Sequence, residues 1–330
     1  MRRIVIALAL LTLACQKSDQ EVPATTVAWT DASPHREGFV GTPSGPLHYL
    51  DWGGTGPALV LIHGLGDNPH AFDDLAGVLK SDFHIVAYAR RGHGQSTQNG
   101  PFDTPTFVRD LSAVMDTLGI AKAHLAGWSM GGNEITAMAG VHPDRVGKIV
   151  YLDAGFDWAD PAFGAAAQEF PLGFTAPPEA LTSLDAFRRW EVANWFPAVT
   201  DTSRIEAYMR ALVTLDSSGK AIPVVSDSVS NLLFTSLTTY GREYKKVKVP
   251  ALAIYAASFL DGTNRDSASA VTANAWEAKH MVPFRNASKA RITREVKSID
   301  TLTVPGTHAD FMFTSRDAVV AAMNRFLKAP

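Results

Sequence analysis

Cysteine is almost absent from this sequence of 330 residues, in which Cys15 is the only one. An intramolecular disulfide and a zinc site built from several cysteines are therefore impossible. Charge of one sign is also lacking, because 30 basic and 33 acidic residues leave a formal net charge of −3. The chain has no excess of basic residues that would indicate a nucleic-acid-binding surface. It also contains neither the zinc-binding motif H-E-x-x-H nor the nucleotide-binding motif G-x-x-x-x-G-K-[ST]. The sequence predicts no metal, no cofactor and no nucleic-acid partner.

The N-terminal segment is predicted to be an export signal. Met1-Arg2-Arg3 is a short basic start, and the apolar run at residues 4–13 is too short for a membrane-spanning helix of about 20 residues. Cys15 follows in Leu11-Thr12-Leu13-Ala14-Cys15, which resembles the lipobox of bacterial lipoproteins. This resemblance implies a signal peptide over 1–14, lipidation of Cys15 and a polar tether over 15–37. An ordinary signal peptide is the alternative.

Short apolar runs alternate with helical patterns along the rest of the chain. Apolar residues recur at helical spacing at Phe107, Leu111 and Val114. Six runs have the length and composition of strands buried on both faces: residues 58–62, 84–88, 123–126, 146–152, 250–256 and 299–304. Alternating strands and helices predict an α/β fold with a mostly parallel, doubly wound sheet.

Residues 154–245 interrupt this alternation. They show no good buried-strand pattern but hold 13 of the 31 aromatic residues. A helical insertion into an α/β sheet is a natural lid over a site. Its aromatic side chains are expected to wall an apolar pocket, among them Trp158, Phe163, Phe170, Trp190, Trp195 and Phe196.

A candidate nucleophile lies in Gly127-Trp128-Ser129-Met130-Gly131, which matches G-x-S-x-G. The motif follows a predicted strand and precedes a predicted helix, which is the context it requires. A sharp turn there lifts the Ser129 hydroxyl clear of the backbone. Bulky side chains at the two flanking glycine positions would clash in such a turn.

A serine is a weak nucleophile unless a base takes its proton and a third group orients that base. His308, after the run at 299–304, is the candidate base. The orienting acid is expected after the preceding strand, which favours Asp261, although the 47 residues from there to His308 are unusually many. Asp153, directly after the run at 146–152, and Asp266 are the alternative acids.

Two backbone N–H groups are expected to stabilise the oxyanion. Met130 directly follows Ser129, and Leu65 lies in His63-Gly64-Leu65-Gly66, after the run at 58–62. Each such donor is worth about 2.7–4 kcal/mol in the transition state. His63 is interpreted as bracing this loop rather than moving protons.

Four segments together resemble the α/β-hydrolase superfamily. They are the G-x-S-x-G turn at residues 127–131, which we call the nucleophile elbow, the loop His63-Gly64-Leu65-Gly66, Arg91-Gly92-His93-Gly94-Gln95-Ser96 and Pro305-Gly306-Thr307-His308. The resemblance implies a core over 38–153 and 246–330 and a helical cap over 154–245, inserted between strands 6 and 7. It also implies the roles given above for Ser129, His308, Leu65 and Met130.

A serine at the elbow favours acyl transfer to water, with an ester or lactone as the small-molecule acyl substrate. An amide or aminopeptidase-type hydrolase, a perhydrolase and a C–C hydrolase use the same triad and are the alternatives. A ligand-binding lipoprotein with an inactive hydrolase fold is the non-enzymatic alternative. We expect the protein to be exported and anchored to a membrane by its lipid, in the outer membrane or periplasm. Secretion is the second choice.

Substitution of the lipidation site tests the predicted anchor. Cys15→Ser should move the protein from the membrane to the soluble fraction, because the acyl chains that hold it would be missing. Fractionation of cells that express each form, followed by immunoblotting, measures this. Continued membrane association of the variant would contradict lipidation at Cys15.

Overall fold

The computed structural model describes residues 29–330. Ser33–Pro330 form one compact unit, and residues 29–32 have no regular secondary structure. The predicted signal peptide (1–14) and Cys15 lie outside the described residues, and the predicted tether (15–37) is described only from residue 29. No helix in the described part of the chain is long and apolar enough to cross a membrane.

An eight-stranded sheet forms the centre of the Ser33–Pro330 unit. Its strands are β1 (Arg36–Thr42), β2 (Gly45–Gly53), β3 (Ala58–Ile62), β4 (His84–Tyr88), β5 (Ala123–Trp128), β6 (Val146–Leu152), β9 (Ala251–Ala256) and β10 (Ile299–Val304). Their order in the sheet is β1-β2-β4-β3-β5-β6-β9-β10. β1 and β2 are antiparallel, β2 is antiparallel to β4, and all other pairs are parallel.

The central strands are apolar throughout because helices cover both faces of the sheet. In β3, Val60 and Ile62 enter the core cluster on one face, whereas Leu59 and Leu61 enter the cluster on the other. Side chains alternate between the faces of a strand, so burial of both faces requires a continuous apolar run.

Helices connect the strands. The core helices are α1 (Asp73–Leu79), α2 (Thr104–Thr117), α3 (Gly131–Val141), α8 (Ser267–Trp276), α9 (Val282–Glu295), α10 (Phe311–Thr314) and α11 (Arg316–Lys328). Asp103 begins α2 by accepting a hydrogen bond from Thr106 N–H at 2.8 Å. Such caps satisfy N–H groups that the first helical turn leaves without partners.

The segment between β6 and β9 contains four helices and one small hairpin. These are α4 (Pro161–Gln168), α5 (Leu184–Trp195), α6 (Glu206–Ala211), α7 (Asp227–Thr239) and the strands β7 (Val213–Leu215) and β8 (Ala221–Pro223). We call residues 154–245 the cap. Tyr208 connects it to the core, because its hydroxyl donates to Asp67 Oδ1 at 2.7 Å and its carbonyl accepts from Asn68 Nδ2 at 3.0 Å.

The predicted α/β fold is confirmed, with β6 and β9 as the sixth and seventh strands of the main sheet. The cap differs in detail from a purely helical insertion because it includes the β7–β8 hairpin. The first strand begins at Arg36, inside the segment expected to be tether. The predicted boundaries at 153/154 and 245/246 stay predictions, since cap and core belong to one compact unit.

Candidate active site

Ser129 occupies a strained turn between β5 and α3. Its φ of +52° is in the left-handed region, which side chains with a Cβ rarely adopt. Its N–H donates to Leu152 O at 3.3 Å, and Ser129 is partly exposed. A Cβ at Gly127 would lie 2.5 Å from the Gly131 carbonyl group, and one at Gly131 would collide with Ile62 O. The turn therefore requires both glycines, for the steric reason that the motif predicts.

His308 lies after β10 and is fixed through its backbone and its ring. Trp128 Nε1 donates to His308 O at 3.1 Å, and His308 N–H donates to Phe259 O at 3.2 Å. The imidazole stacks on the Phe259 ring with centroids 4.3 Å apart. The residue that precedes Ser129 thus holds His308.

Asp153 is the acid that the structure places against the imidazole. His308 Nδ1 donates to Asp153 Oδ2 at 2.7 Å, and Ala256 N–H donates to Asp153 Oδ1 at 3.0 Å. Arg285 Nη2 lies 3.6 Å from the same Oδ1, and Asp153 is fully buried. The proton on Nδ1 leaves Nε2 of His308 as the atom able to accept a proton from a serine.

The expectation that Asp261 orients His308 is corrected by this geometry. The Asp261 carboxylate accepts from Thr263 N–H at 2.9 Å and from the Ser258 hydroxyl at 3.3 Å, so it closes its own turn after β9. Asp266, the other alternative, begins α8 by accepting from Ala268 N–H at 3.0 Å. The sequence favours Asp261 because the end of a strand shows which loop can supply an acid but not the direction in which the acid points.

The Ser129 hydroxyl makes no hydrogen bond to any other residue in the described range. The structure therefore brings together Asp153 and His308 as a bonded pair. Two hydrogen bonds connect the turn of Ser129 to them: Ser129 N–H donates to the carbonyl of Leu152, the residue before Asp153, and Trp128 Nε1 donates to His308 O. Catalytic hydrogen bonds are often loose before substrate binds and tighten in the complex.

The two predicted oxyanion donors are available. No described residue accepts a hydrogen bond from the N–H of Leu65 or of Met130, and Leu65 is partly exposed. Met130 directly precedes α3, where the positive end of the helix dipole favours negative charge.

Two buried histidines hold the loop that carries Leu65. His63 Nδ1 donates to Gly64 O at 2.8 Å, and its Nε2 accepts from Arg90 N–H at 3.0 Å. His93 Nε2 accepts from Gly66 N–H at 3.1 Å. These acceptor roles require neutral rings.

Burial supplies that neutrality. Burial, reinforced by the charge of Arg90, lowers the pKa of His63 well below its usual range and that of His93 to about 3. The interpretation of His63 as a brace agrees with these contacts.

Sequence reasoning missed a buried ion pair behind the same loop. The Arg90 guanidinium donates to His63 O at 2.7 Å and to Gly64 O at 3.1 Å. Its Nε donates to Glu134 Oε1 at 2.5 Å, and the Tyr88 hydroxyl donates to Glu134 Oε2 at 2.5 Å. The available signal was that Glu134 is the single charged residue of helix α3.

The predicted aromatic residues of the cap pack in several separate groups. Trp158 lies near the imidazole, with its ring 6.1 Å from that of His308, and it packs on Phe163 with the two rings 4.6 Å apart. Trp158 Nε1 is buried there without an acceptor among the described residues. Phe170 and Trp195 stack on each other, Trp190 packs on Phe187, and Phe196 packs on Tyr208 and Phe313.

Comparison with known proteins identifies the class. Residues 57–257 match the model of a family described as the alpha/beta hydrolase fold, so the chain belongs to this family. It resembles a putative carbamate hydrolase RutD of Caulobacter segnis, with 36% identity over 33% of this chain and 42% of that protein. It also resembles a pimeloyl-[acyl-carrier protein] methyl ester esterase of Neisseria meningitidis, with 37% identity over 36% and 42%. The chain thus spans less than half the length of these two relatives.

Solved structures agree on the fold. E-2-(acetamidomethylene)succinate hydrolase aligns over 89% of this chain and all of that one, with a TM-score of 0.69 and 20% identity. The enol-lactonase of Burkholderia xenovorans aligns over 88% and all of that chain, with a TM-score of 0.60 and 20% identity. Both likenesses show the fold of this chain, and the non-enzymatic alternative stays a prediction.

Paired substitutions test the corrected acid. Asp153→Asn should lower kcat for ester hydrolysis by about 10³–10⁴-fold, because the amide favours the wrong imidazole tautomer. Asp261→Asn is the matched control and should change kcat by less than about threefold. A large loss in Asp261→Asn with activity retained in Asp153→Asn would return the role to Asp261.

Proposed function

We propose that this protein is a serine hydrolase that cleaves a carboxylic ester or lactone through an acyl-enzyme on Ser129. One observation carries the proposal: His308, whose Nδ1 is bonded to the buried Asp153, also accepts a hydrogen bond at its carbonyl from Trp128, the residue before Ser129 in its left-handed turn. A nucleophile, a base and an orienting acid are the parts that acyl transfer needs.

In the first half-reaction, Ser129 Oγ attacks the carbonyl carbon while its proton passes to Nε2 of His308. The N–H groups of Leu65 and Met130 donate to the oxygen that becomes negative. When the tetrahedral intermediate collapses, the C–O bond to the leaving group breaks, and His308 gives its proton to the departing alkoxide. Asp153 keeps the proton on Nδ1 and stabilises the imidazolium.

In the second half-reaction, water replaces the alcohol. His308 takes a proton from water, and the resulting nucleophile attacks the acyl carbon under the same two N–H donors. The bond from the acyl carbon to Ser129 Oγ then breaks, and Ser129 recovers its proton from His308. The products are a carboxylic acid and an alcohol, which for a lactone are one molecule.

We prefer an ester or lactone as the substrate because a serine at the nucleophile elbow favours acyl transfer to water. A methyl ester esterase and an enol-lactonase among the similar proteins support this choice. The relative described as a putative carbamate hydrolase keeps cleavage of an acyl C–N bond as the second candidate. The hydrolase of Burkholderia vietnamiensis that acts on 2-hydroxy-6-oxononadienedioate is 27% identical over 63% of this chain and 73% of that protein. This relative keeps hydrolysis of a C–C bond as a further alternative.

Removal of the nucleophile tests the proposal. Ser129→Ala should lower turnover of p-nitrophenyl esters by at least about 10⁴-fold, since the acyl-enzyme cannot form. A fluorophosphonate probe should label the wild type and a Ser217→Ala control, which removes an exposed hydroxyl of the cap, but not Ser129→Ala.

The outcomes separate the candidates. Labelling or substantial turnover that persists in Ser129→Ala would remove Ser129 from its role. A panel of esters, lactones and aminoacyl anilides, run on the wild type, decides between C–O and C–N cleavage. Faster turnover of the anilides than of all esters would favour the second candidate.

A further inference from the structure

A buried cation lies behind the acid of the candidate site. Arg285 belongs to helix α9 and is 4% exposed. Its Nη2 lies 3.6 Å from Asp153 Oδ1, and the other oxygen of this carboxylate is bonded to His308 Nδ1. One carboxylate therefore lies between the guanidinium and the imidazole. Arg285 has no part in the mechanism above, although a single side chain separates it from the base.

Backbone carbonyl groups fix the position of this guanidinium. Arg285 Nη1 donates to Ala257 O at 3.1 Å, and Nη2 donates to Ala256 O. Ala256 ends β9, and its N–H donates to Asp153 Oδ1 at 3.0 Å. The same strand end thus holds both the cation and the carboxylate. Because an arginine side chain stays protonated in proteins, its positive charge persists beside Asp153 throughout an enzyme's pH range.

Glu277, directly after α8, is the second ionic partner of Arg285. Its Oε1 accepts from Arg285 Nη1 at 3.2 Å and from Phe259 N–H at 3.1 Å, and its Oε2 accepts from Leu260 N–H at 3.1 Å. Burial raises the pKa of Glu277, and these three donors oppose that effect. A carboxylate accepts from all three, whereas a protonated acid would bring a donor of its own. Two carboxylates therefore share one guanidinium.

Two further ionisable groups face Arg285 and Asp153 from neighbouring elements. Lys289 is one turn further along α9 and partly exposed, with its Nζ 4.3 Å from the centre of the Tyr255 ring. Burial and then the charge of Arg285 lower the pKa of Lys289, whereas Asp153 opposes this. Burial raises the pKa of Tyr255 well above its usual range, so this hydroxyl stays neutral. The Phe156 ring, 5.6 Å from Arg285 Cζ, covers another side of the guanidinium.

We propose that Arg285 is a positioning residue that acts through Asp153 and sets the pH above which His308 is an effective base. The inference rests on the proposed function, in which the neutral imidazole takes the proton of the nucleophile. A carboxylate beside an imidazole favours the imidazolium, and a neighbouring cation opposes that effect. Because Arg285 offsets part of the charge of Asp153, the imidazole stays neutral to lower pH than the carboxylate alone would allow. Glu277 limits the effect, since it takes a share of the same positive charge.

Removal of the two charges in turn tests this role. Glu277→Gln leaves Arg285 with Asp153 as its one carboxylate, so the acid limb of the profile of kcat/KM against pH should move to lower pH. Adding Arg285→Gln to Glu277→Gln removes the cation and leaves no carboxylate unpaired at position 277. This second step should move the midpoint of the limb to higher pH by at least about 0.5 pH unit. Hydrolysis of a p-nitrophenyl ester across the pH range measures both steps.

A matched control and contrary results define the test. Arg294→Gln removes the same charge from the exposed surface of α9 and should leave the midpoint where it is in the wild type. A purely structural role for Arg285 would lower kcat/KM without moving the midpoint. Unmoved midpoints, or a second step in the same direction as the first, would overturn the proposal. If the double variant does not fold, a midpoint in Glu277→Gln that fails to move to lower pH overturns it alone.

A titration without turnover keeps this inference separate from the proposed function. In Ser129→Ala labelled with ¹⁵N-histidine, nuclear magnetic resonance measures the pH at which the His308 imidazole is half protonated. This pH should fall with Glu277→Gln and rise again when Arg285→Gln is added. Such shifts in a protein that hydrolyses no ester would support the action of Arg285 on the imidazole and contradict the proposed function instead. A half-protonation pH that responds to neither substitution would contradict the role of Arg285.

Discussion

The hydrogen bond of 2.7 Å between His308 Nδ1 and Asp153 Oδ2 joins residues 155 positions apart in the chain. It exists because β6 and β9 are neighbours and β10 follows β9 in the same sheet, so their carboxyl ends meet at one edge. Ala256 N–H, at the end of β9, fixes the other oxygen of Asp153. The sheet order thus sets the imidazole before any substrate arrives, and an enzyme gains most from groups that need no reorganisation during the reaction.

A second constraint acts on the oxyanion loop, the segment His63-Gly64-Leu65-Gly66 that carries the Leu65 N–H. Arg90 holds the carbonyl groups of His63 and Gly64 on one side, which leaves the Leu65 N–H free on the other. Arg90 is itself held by Glu134 on α3, the helix that begins just after Ser129. Both ions are fully buried. Removal of one partner of a buried ion pair destabilises a protein far more than the pair's net contribution to stability suggests, since the other charge is left uncompensated. The nucleophile and the oxyanion loop therefore share one rigid support.

The fold and half of the site were accessible from the sequence because both depend on local patterns. Apolar runs predicted β3, β4 and β6 with their observed bounds, and the elbow glycines predicted the turn at Ser129. The bounds predicted for β10 are also correct, but its predicted burial on both faces is wrong, because β10 is an edge strand and mostly exposed. Asp261 and Asp153 follow strands equally well, and only the backbone after each strand decides between them: Asp153 has a φ of +42° and points to His308. Glu134 meets Arg90 and Tyr88 only through tertiary contacts, so no spacing in the sequence pointed to these partners.

The imidazole proton offers the most direct test of the central claim. In a nuclear magnetic resonance spectrum of protein labelled with ¹⁵N-histidine, the His308 Nδ1 proton should give a far-downfield signal, because a short bond to a buried carboxylate deshields it and slows its exchange. The account predicts that this signal is present in the wild type, lost in Asp153→Asn and retained in Asp261→Asn. Its absence from the wild type, or its loss in Asp261→Asn alone, would contradict the account.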